Sequence, residues 1–260
     1  MSGIVVVKLG GTTLADQAQV LAEVAAIARS RPVVVVHGGG RRMSEWLSRL
    51  GVATRFEAGL RVTDAAALEV AAAVLRGVVN SELVAGLRDH GVDAVGLSGV
   101  DGGLFVAERV PGMGLVAHVV GIRRDLLDAL LVGGQVPVIA PLARDEAGVV
   151  CNVNADDAAA GLAAGLGAGR LVLMTDVDGI RAADGTRLAS LTADRAAALI
   201  AAGVIAGGMI PKVRAGLAGI TAPGAEAVIC NAAAANALAR ALGDPTFGTR
   251  LTAGPPGWSA

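Results

Sequence analysis

Aromatic side chains make up only 2% of this 260-residue chain, so stacked rings cannot organise its core. With 53% hydrophobic residues, the filling falls to Ala, Val, Leu and Ile, which suits the space between parallel strands and covering helices. A charge excess is missing too: 22 basic against 23 acidic residues leave a net charge of −1. That offers no electrostatic footprint for nucleic acid or an anionic membrane, and a small molecule is the expected partner. Cysteine occurs at Cys151 and Cys230, far apart and without ligand-like neighbours. Neither a zinc site nor a disulfide framework follows, and a reducing, cytoplasmic compartment is expected. The longest uncharged run, 196–211, holds three glycines and falls short of the roughly 20 residues that cross a bilayer. The opening MSGIVVVKLGG has no basic leader and breaks its apolar run at Lys8, which argues against a signal peptide.

What is present centres on VVVVHGGG, residues 33–40. Four β-branched residues behind Arg31-Pro32 predict a strand buried on both faces, and the glycines place bare backbone N–H groups at its C-terminal edge. Open α/β sheets bind ligands at that edge. A triple glycine alone is equally a tight turn. The second copy decides the reading: residues 4–7 form another short apolar strand that runs into Lys8-Leu9-Gly10-Gly11. Side by side, the two edges make an amide-lined cradle for an anion with a cation beside it. His37 has no serine or cysteine nucleophile next to it and reads as a packed histidine. HGGG also serves as an oxyanion hole in esterases, but the nearest G-x-S-x-G elbow, residues 96–100, ends in Val100.

Apolar spacing predicts helices over 14–29, 41–50, 65–79, 80–90, 124–132, 158–166, 191–202 and 213–218. Strands are expected at 136–140, 170–174 and 227–230, and a hairpin between 104 and 121 turns at Pro111-Gly112. Among these lie further polar candidates. Arg61, in GLRVTD, is a surface charge or a planar clamp for a carboxylate. Asn152 and Asp156, in NVNADD, gather amides and acids before a helix start, where acids are common. Asp176 and Asp178, in TDVDG, either hold a metal or bond neighbouring amides, and the second is favoured. Lys212 follows a GG turn and Pro211, which makes it a candidate phosphate contact. No G-x-x-x-x-G-K-[ST] loop and no H-R-D triplet occurs.

The ordered set K-L-G-G, V-H-G-G-G, G-L-R-V-T-D, N-V-N-A-D, T-D-V-x-G and G-G-M-I-P-K resembles the amino acid kinase family, and most closely its members that phosphorylate N-acetyl-L-glutamate. The likeness runs from about Val5 to Leu251. It implies a three-layer αβα sandwich around an open, mainly parallel sheet. Residues 1–167 would form an N-terminal lobe for the acyl substrate and dimerisation, and 168–260 a C-terminal lobe for ATP. It also implies roles. Lys8 and Lys212 would stabilise the phosphoryl group in flight, Asp156 would orient both, and the N–H groups of Gly11 and Gly39 would contact that group. Gly39, Gly40, Arg61 and Asn152 would hold N-acetylglutamate. Asp176, Val177, Asp178, Gly179, Ile180 and Arg181, with Val204, Ile205, Ala206 and Lys212, would line the nucleotide pocket. Mg2+ would ride on the ATP phosphates with no protein ligands, and the chain would be a homodimer.

A side-chain carboxylate with a pKa near ~4.3 is already ionised at neutral pH, so its attack on ATP needs no general base. The reaction needs in-line placement and cancelled repulsion between anions. Two other readings stay open. Arg41-Arg42 after HGGG would add positive charge beside the pocket and could greet an acidic carrier protein bearing glutamate or aminoadipate. A non-catalytic nucleotide-binding regulator on the same fold would have lost a lysine or Asp156.

Overall fold

The computed structural model describes residues 3–10, 17–57 and 59–252. The chain begins with β1 (Val5–Leu9), α1 (Gln17–Ala28), β2 (Val33–His37) and α2 (Gly40–Arg49). A hairpin of β3 (Arg55–Glu57) and β4 (Leu60–Val62) leads to α3 (Ala65–Ala72), which passes through a π-helical stretch, Ala73–Val79, into α4 (Asn80–Asp89). Next come β5 (Ala94–Ser98), β6 (Phe105–Arg109), β7 (Val116–Ile122), α5 (Asp125–Val132) and β8 (Val136–Ala140). β9 (Leu142–Arg144), β10 (Val150–Val153), α6 (Ala155–Leu166) and β11 (Arg170–Thr175) follow. The chain continues with β12 (Ser190–Thr192), α7 (Ala193–Ala201), α8 (Met209–Ala218), β13 (Glu226–Asn231), α9 (Ala237–Gly243) and β14 (Thr249–Thr252).

Eight strands form one sheet in the order β12-β14-β13-β11-β1-β2-β8-β5, parallel except where β14 meets β13. Side chains alternate across it with the strand period of two. Val5, Val7, Val33 and Val35 pack under α1, α2, α3, α4 and α9, while Val6, Val34 and Val36 pack under α5, α6, α7 and α8. This is the expected three-layer αβα sandwich. A small closed sheet, β10-β7-β6-β9, extends the second layer. α6 approaches it closely because Gly161 and Gly165 carry no Cβ, which would fall 2.6 Å from Val119 and 2.3 Å from Ile122.

Three boundaries differ from the sequence reading in ways that matter. α6 starts at Ala155 rather than Ala158, because the Asn154 side chain accepts from the N–H groups of Asp156 and Asp157 and caps the helix. Asp156 therefore belongs to the first helical turn. α8 starts at Met209, before Pro211, which is tolerated in a first turn. Lys212 rides on this helix and not on a loop. α7 starts at Ala193, leaving Leu191 on β12. The continuous helical run Ala65–Asp89 has the length and hydropathy of a membrane span, but Val70, Val74, Val79, Leu83 and Leu87 bury its apolar face against the sheet.

Candidate active site

β1 and β2 lie side by side in parallel register, with Leu9 opposite His37, so their glycine ends open at the same sheet edge. The N–H of Gly38 donates to the carbonyl of Leu9 at 3.2 Å and ties the two turns together. Gly39 must lack a side chain: a Cβ there would fall 2.6 Å from Leu75 and 3.2 Å from Met43. Gly11, expected at the companion turn, lies outside the described residues.

Strand alternation sends Lys8 to the α6 face, and Lys212 reaches the same point from α8. The Lys8 ammonium sits 2.9 Å from Asp156 Oδ1 and that of Lys212 2.8 Å from Oδ2, with all three side chains about nine-tenths buried. Lys212 donates a well-directed hydrogen bond. Lys8 faces Oδ1 as an ion pair. Burial opposes ionisation of Asp156, but the two ammonium groups prevail and hold its pKa down to about 2. Burial in turn pushes the Lys8 pKa below its usual value, with Asp156 opposing and Lys212 reinforcing the shift. Two cations around one anion leave a net positive charge at the cleft wall.

The cleft holds about 220 Å³ and is lined by Lys8, Gly38, Gly39, Gly40, Arg61 and Asn152 among others. Arg61, on β4, lies 4.5 Å over the Phe56 ring and donates to Ser44 Oγ at 2.8 Å and to Thr54. Asn152 donates its amide to Thr63 Oγ1 at 3.2 Å, which fixes the orientation of its side chain. Thr63 is fully buried and donates in turn to the Arg61 carbonyl. Asp64 caps α3 by accepting from Ala67 N–H at 2.8 Å.

His37, on the opposite face from Lys8, is fully buried, and its Nε2 accepts from the Asn80 amide at 3.0 Å. Asn80 also donates to the Val138 carbonyl at 2.8 Å, which leaves no acceptor role at its nitrogen and places the imidazole proton on Nδ1. Burial pushes the His37 pKa down to about 4, so it is the packed, neutral histidine expected. Ser98 is buried and donates to Asp101 at 2.8 Å rather than facing His37, which removes the hydrolase reading.

The second group of expected residues sits apart from this cleft. Asp176 accepts from Thr175 at 3.0 Å, Asp178 from Asn231 at 2.9 Å, and Arg181 donates to the Gly185 carbonyl at 2.8 Å. Ile180 and Ile205 turn into the core at 2% exposure, so their side chains cannot line a pocket; the Ile180 N–H donates to Thr249 Oγ1 and its carbonyl accepts from Leu188. Val177 is exposed. The amides of Val204 and Ile205 close the end of α7 on Leu199, and the Ala206 carbonyl accepts from Met209. Arg41 and Arg42 do not line the cleft: Arg42 pairs with Glu82 on α4 and Arg41 is exposed.

Sequence reasoning passed over Ser44, Thr54 and Phe56, whose roles depend on partners brought in by the fold; Thr63, with Asp64 a candidate cap of α3, instead holds Asn152 while Asp64 caps, and Asn154 was not seen as the cap of α6. It also passed over one signal in plain view. Of the 22 basic residues, lysine supplies only two, Lys8 and Lys212, and both converge on Asp156. Arginine serves wherever a surface cation is wanted; the compact ammonium is kept for this one point.

An open parallel sheet whose glycine-edged strands face paired ammonium groups defines a phosphate-handling α/β protein. The chain belongs to the amino acid kinase family, whose sequence pattern matches residues 3–231. It is 46% identical over 246 residues to the acetylglutamate kinase of Rubrobacter xylanophilus, covering 94% of this chain and 95% of that protein. Against the acetylglutamate kinase of Geobacillus thermodenitrificans it is 42% identical over 225 residues, 85% of this chain and 87% of that protein. The crystal structure of smu.665 from Streptococcus mutans superimposes with a TM-score of 0.83 at 27% identity, covering 97% of this chain and 100% of that one.

Proposed function

We propose that the protein transfers the γ-phosphoryl group of ATP to the side-chain carboxylate of N-acetyl-L-glutamate, forming the acyl phosphate and ADP. The observation that carries this reading is the Lys8–Asp156–Lys212 cluster beside the Gly38–Gly40 edge of a cleft that also presents Arg61. The curated relatives of similar length support it by name. A carboxylate oxygen attacks the γ-phosphorus while the bond to the β–γ bridging oxygen breaks, and the bridging oxygen leaves with ADP. Lys8 and Lys212 offset the repulsion between the two anions, and Asp156 keeps both ammonium groups aimed at one place. The Gly39 and Gly40 amides, at the start of α2, favour the phosphoryl oxygens. Arg61 clamps the substrate's other carboxylate, and Asn152 bonds its amide.

In this reading residues 1–167 bind the acyl substrate and residues 168–260 bind ATP, with 176–181 and 204–206 around the nucleotide. Gly11, outside the described residues, keeps its expected contact with the phosphoryl group as part of the proposal. The described residues hold no group of three His, Cys, Asp or Glu able to cage a metal, and both Asp156 oxygens face ammonium groups. Mg2+ would come with ATP as its phosphate counter-ion. A homodimer in the cytoplasm completes the proposal. Trapping the acyl phosphate with hydroxylamine in the presence of ATP tests it. N-acetylglutamate should give the hydroxamate and N-acetyl-aminoadipate far less; no product with the former defeats the reading.

A further inference from the structure

A second cavity, of about 400 Å³, adjoins the cleft and shares Leu60, Val116 and Asn154 with it. From that common wall it runs between β7 and α8 to Ala218. Its interior is aliphatic: Val110, Ile210, Pro211 and Ala215 line it with the shared residues. The polar groups are either occupied or peripheral. Asp157 accepts the Val119 N–H at 2.9 Å, while His118 and Arg214 are exposed at the rim.

The proposed pose, on which this inference rests, commits three sides of the substrate. The reacting carboxylate lies at Lys8 and the glycines, the other carboxylate at Arg61, and the amide at Asn152. The rest of the cleft wall includes Met43, Leu75, Pro141 and Val153 besides Leu60, Val116 and Asn154, and the pose sets the acyl methyl against the last three, the part shared with the groove. Behind that wall lies the apolar groove rather than packed core. We infer that the enzyme also phosphorylates N-acyl-L-glutamates with longer, uncharged acyl chains, whose extra methylenes enter the groove between β7 and α8.

A sealed acetyl pocket would lose about 10–200-fold in kcat/KM for each added methylene. The groove predicts kcat/KM for N-propionyl- and N-butyryl-L-glutamate within about fivefold of the N-acetyl value, well inside that penalty. Ala218→Leu, outside the cleft, should cut the N-butyryl value by about tenfold, the scale of one misfitted group, and leave N-acetylglutamate turnover unchanged. Ala215→Leu repeats the test closer to the cleft should Ala218→Leu fold poorly. Normal use of N-acetylglutamate with a steep loss at N-propionyl overturns the inference and leaves the proposed function standing. Equal losses for short and long substrates in the leucine variants overturn the groove as the route. No turnover of any acyl glutamate overturns both.

Discussion

Replacing Asp156 by asparagine removes the only charge that separates two buried ammonium groups while preserving the size of the side chain. The lost contacts are 2.9 and 2.8 Å long. At an effective dielectric of about 20, unit charges even at 4 Å interact by about 4 kcal/mol, and breaking a buried pair by removing one partner costs about 3–5 kcal/mol. The loss has a ceiling, because Lys8 can release its proton; burial already pushes its pKa down, and only Asp156 opposes that. Asp156→Asn should therefore lose about 3 kcal/mol in urea unfolding at pH 7. A lysine whose folded pKa lies below its unfolded value binds more protons when unfolded, so the variant should regain stability as pH rises towards the unfolded lysine pKa. In a Lys8→Met background the same substitution should cost at least about 1 kcal/mol less, since one repelling charge has gone. Turnover should fall by about 10²–10³, the scale of one missing electrostatic stabiliser. Unfolding within about 0.5 kcal/mol of the parent, the range of an ordinary surface change, together with near-normal turnover would refute the reasoning.

Selective 15N labelling of lysine should give two side-chain signals from the whole chain, and the one that disappears in Lys8→Met should titrate below the ordinary lysine value of 10.5. A normal titration of that signal contradicts the buried placement. Asp156, held at about 2 against the ordinary aspartate value of 3.8, contributes stability above pH 3.8 that is lost as pH falls through about 2. The contribution is on the order of 2 kcal/mol, and Asp156→Asn should flatten the acid limb of stability in that window. Arg61→Lys removes the planar fork that spans Ser44, Thr54 and the Phe56 ring. Steady-state kinetics should show KM for N-acetylglutamate raised about tenfold or more with kcat much less affected, the pattern of lost ground-state binding.

The parts of the site that could be read in advance are those encoded locally. A β-branched run ending in glycines specifies both strand and turn within eight residues, so the two cradles at Lys8–Gly10 and Val33–Gly40 were legible. Helix starts were less so. The acids of NVNADD looked like a prelude to a helix because Asn154 was not recognised as its cap, although asparagine is among the preferred residues there. Pro211 looked like a loop residue until α8 placed it in a first turn. The partners of Arg61 and His37 were invisible for another reason: Ser44 and Asn80 are 17 and 43 residues away, and only sheet order and helix packing bring them near. The pairing of Arg42 with Glu82 belongs here as well, since adjacency to HGGG in sequence says nothing about which partner α4 brings to α2.

The account stands on two ammonium groups joining in one transfer. It is tested most directly by hydroxamate-trapped acyl phosphate from N-acetylglutamate and ATP, compared among the parent, Lys8→Met and Lys212→Met at saturating substrates. Each variant should remain folded by far-UV circular dichroism and lose about 10²-fold or more in kcat, the scale expected when one preorganised charge is withdrawn. A folded variant that keeps the parent's kcat would show that its lysine takes no part in the transfer.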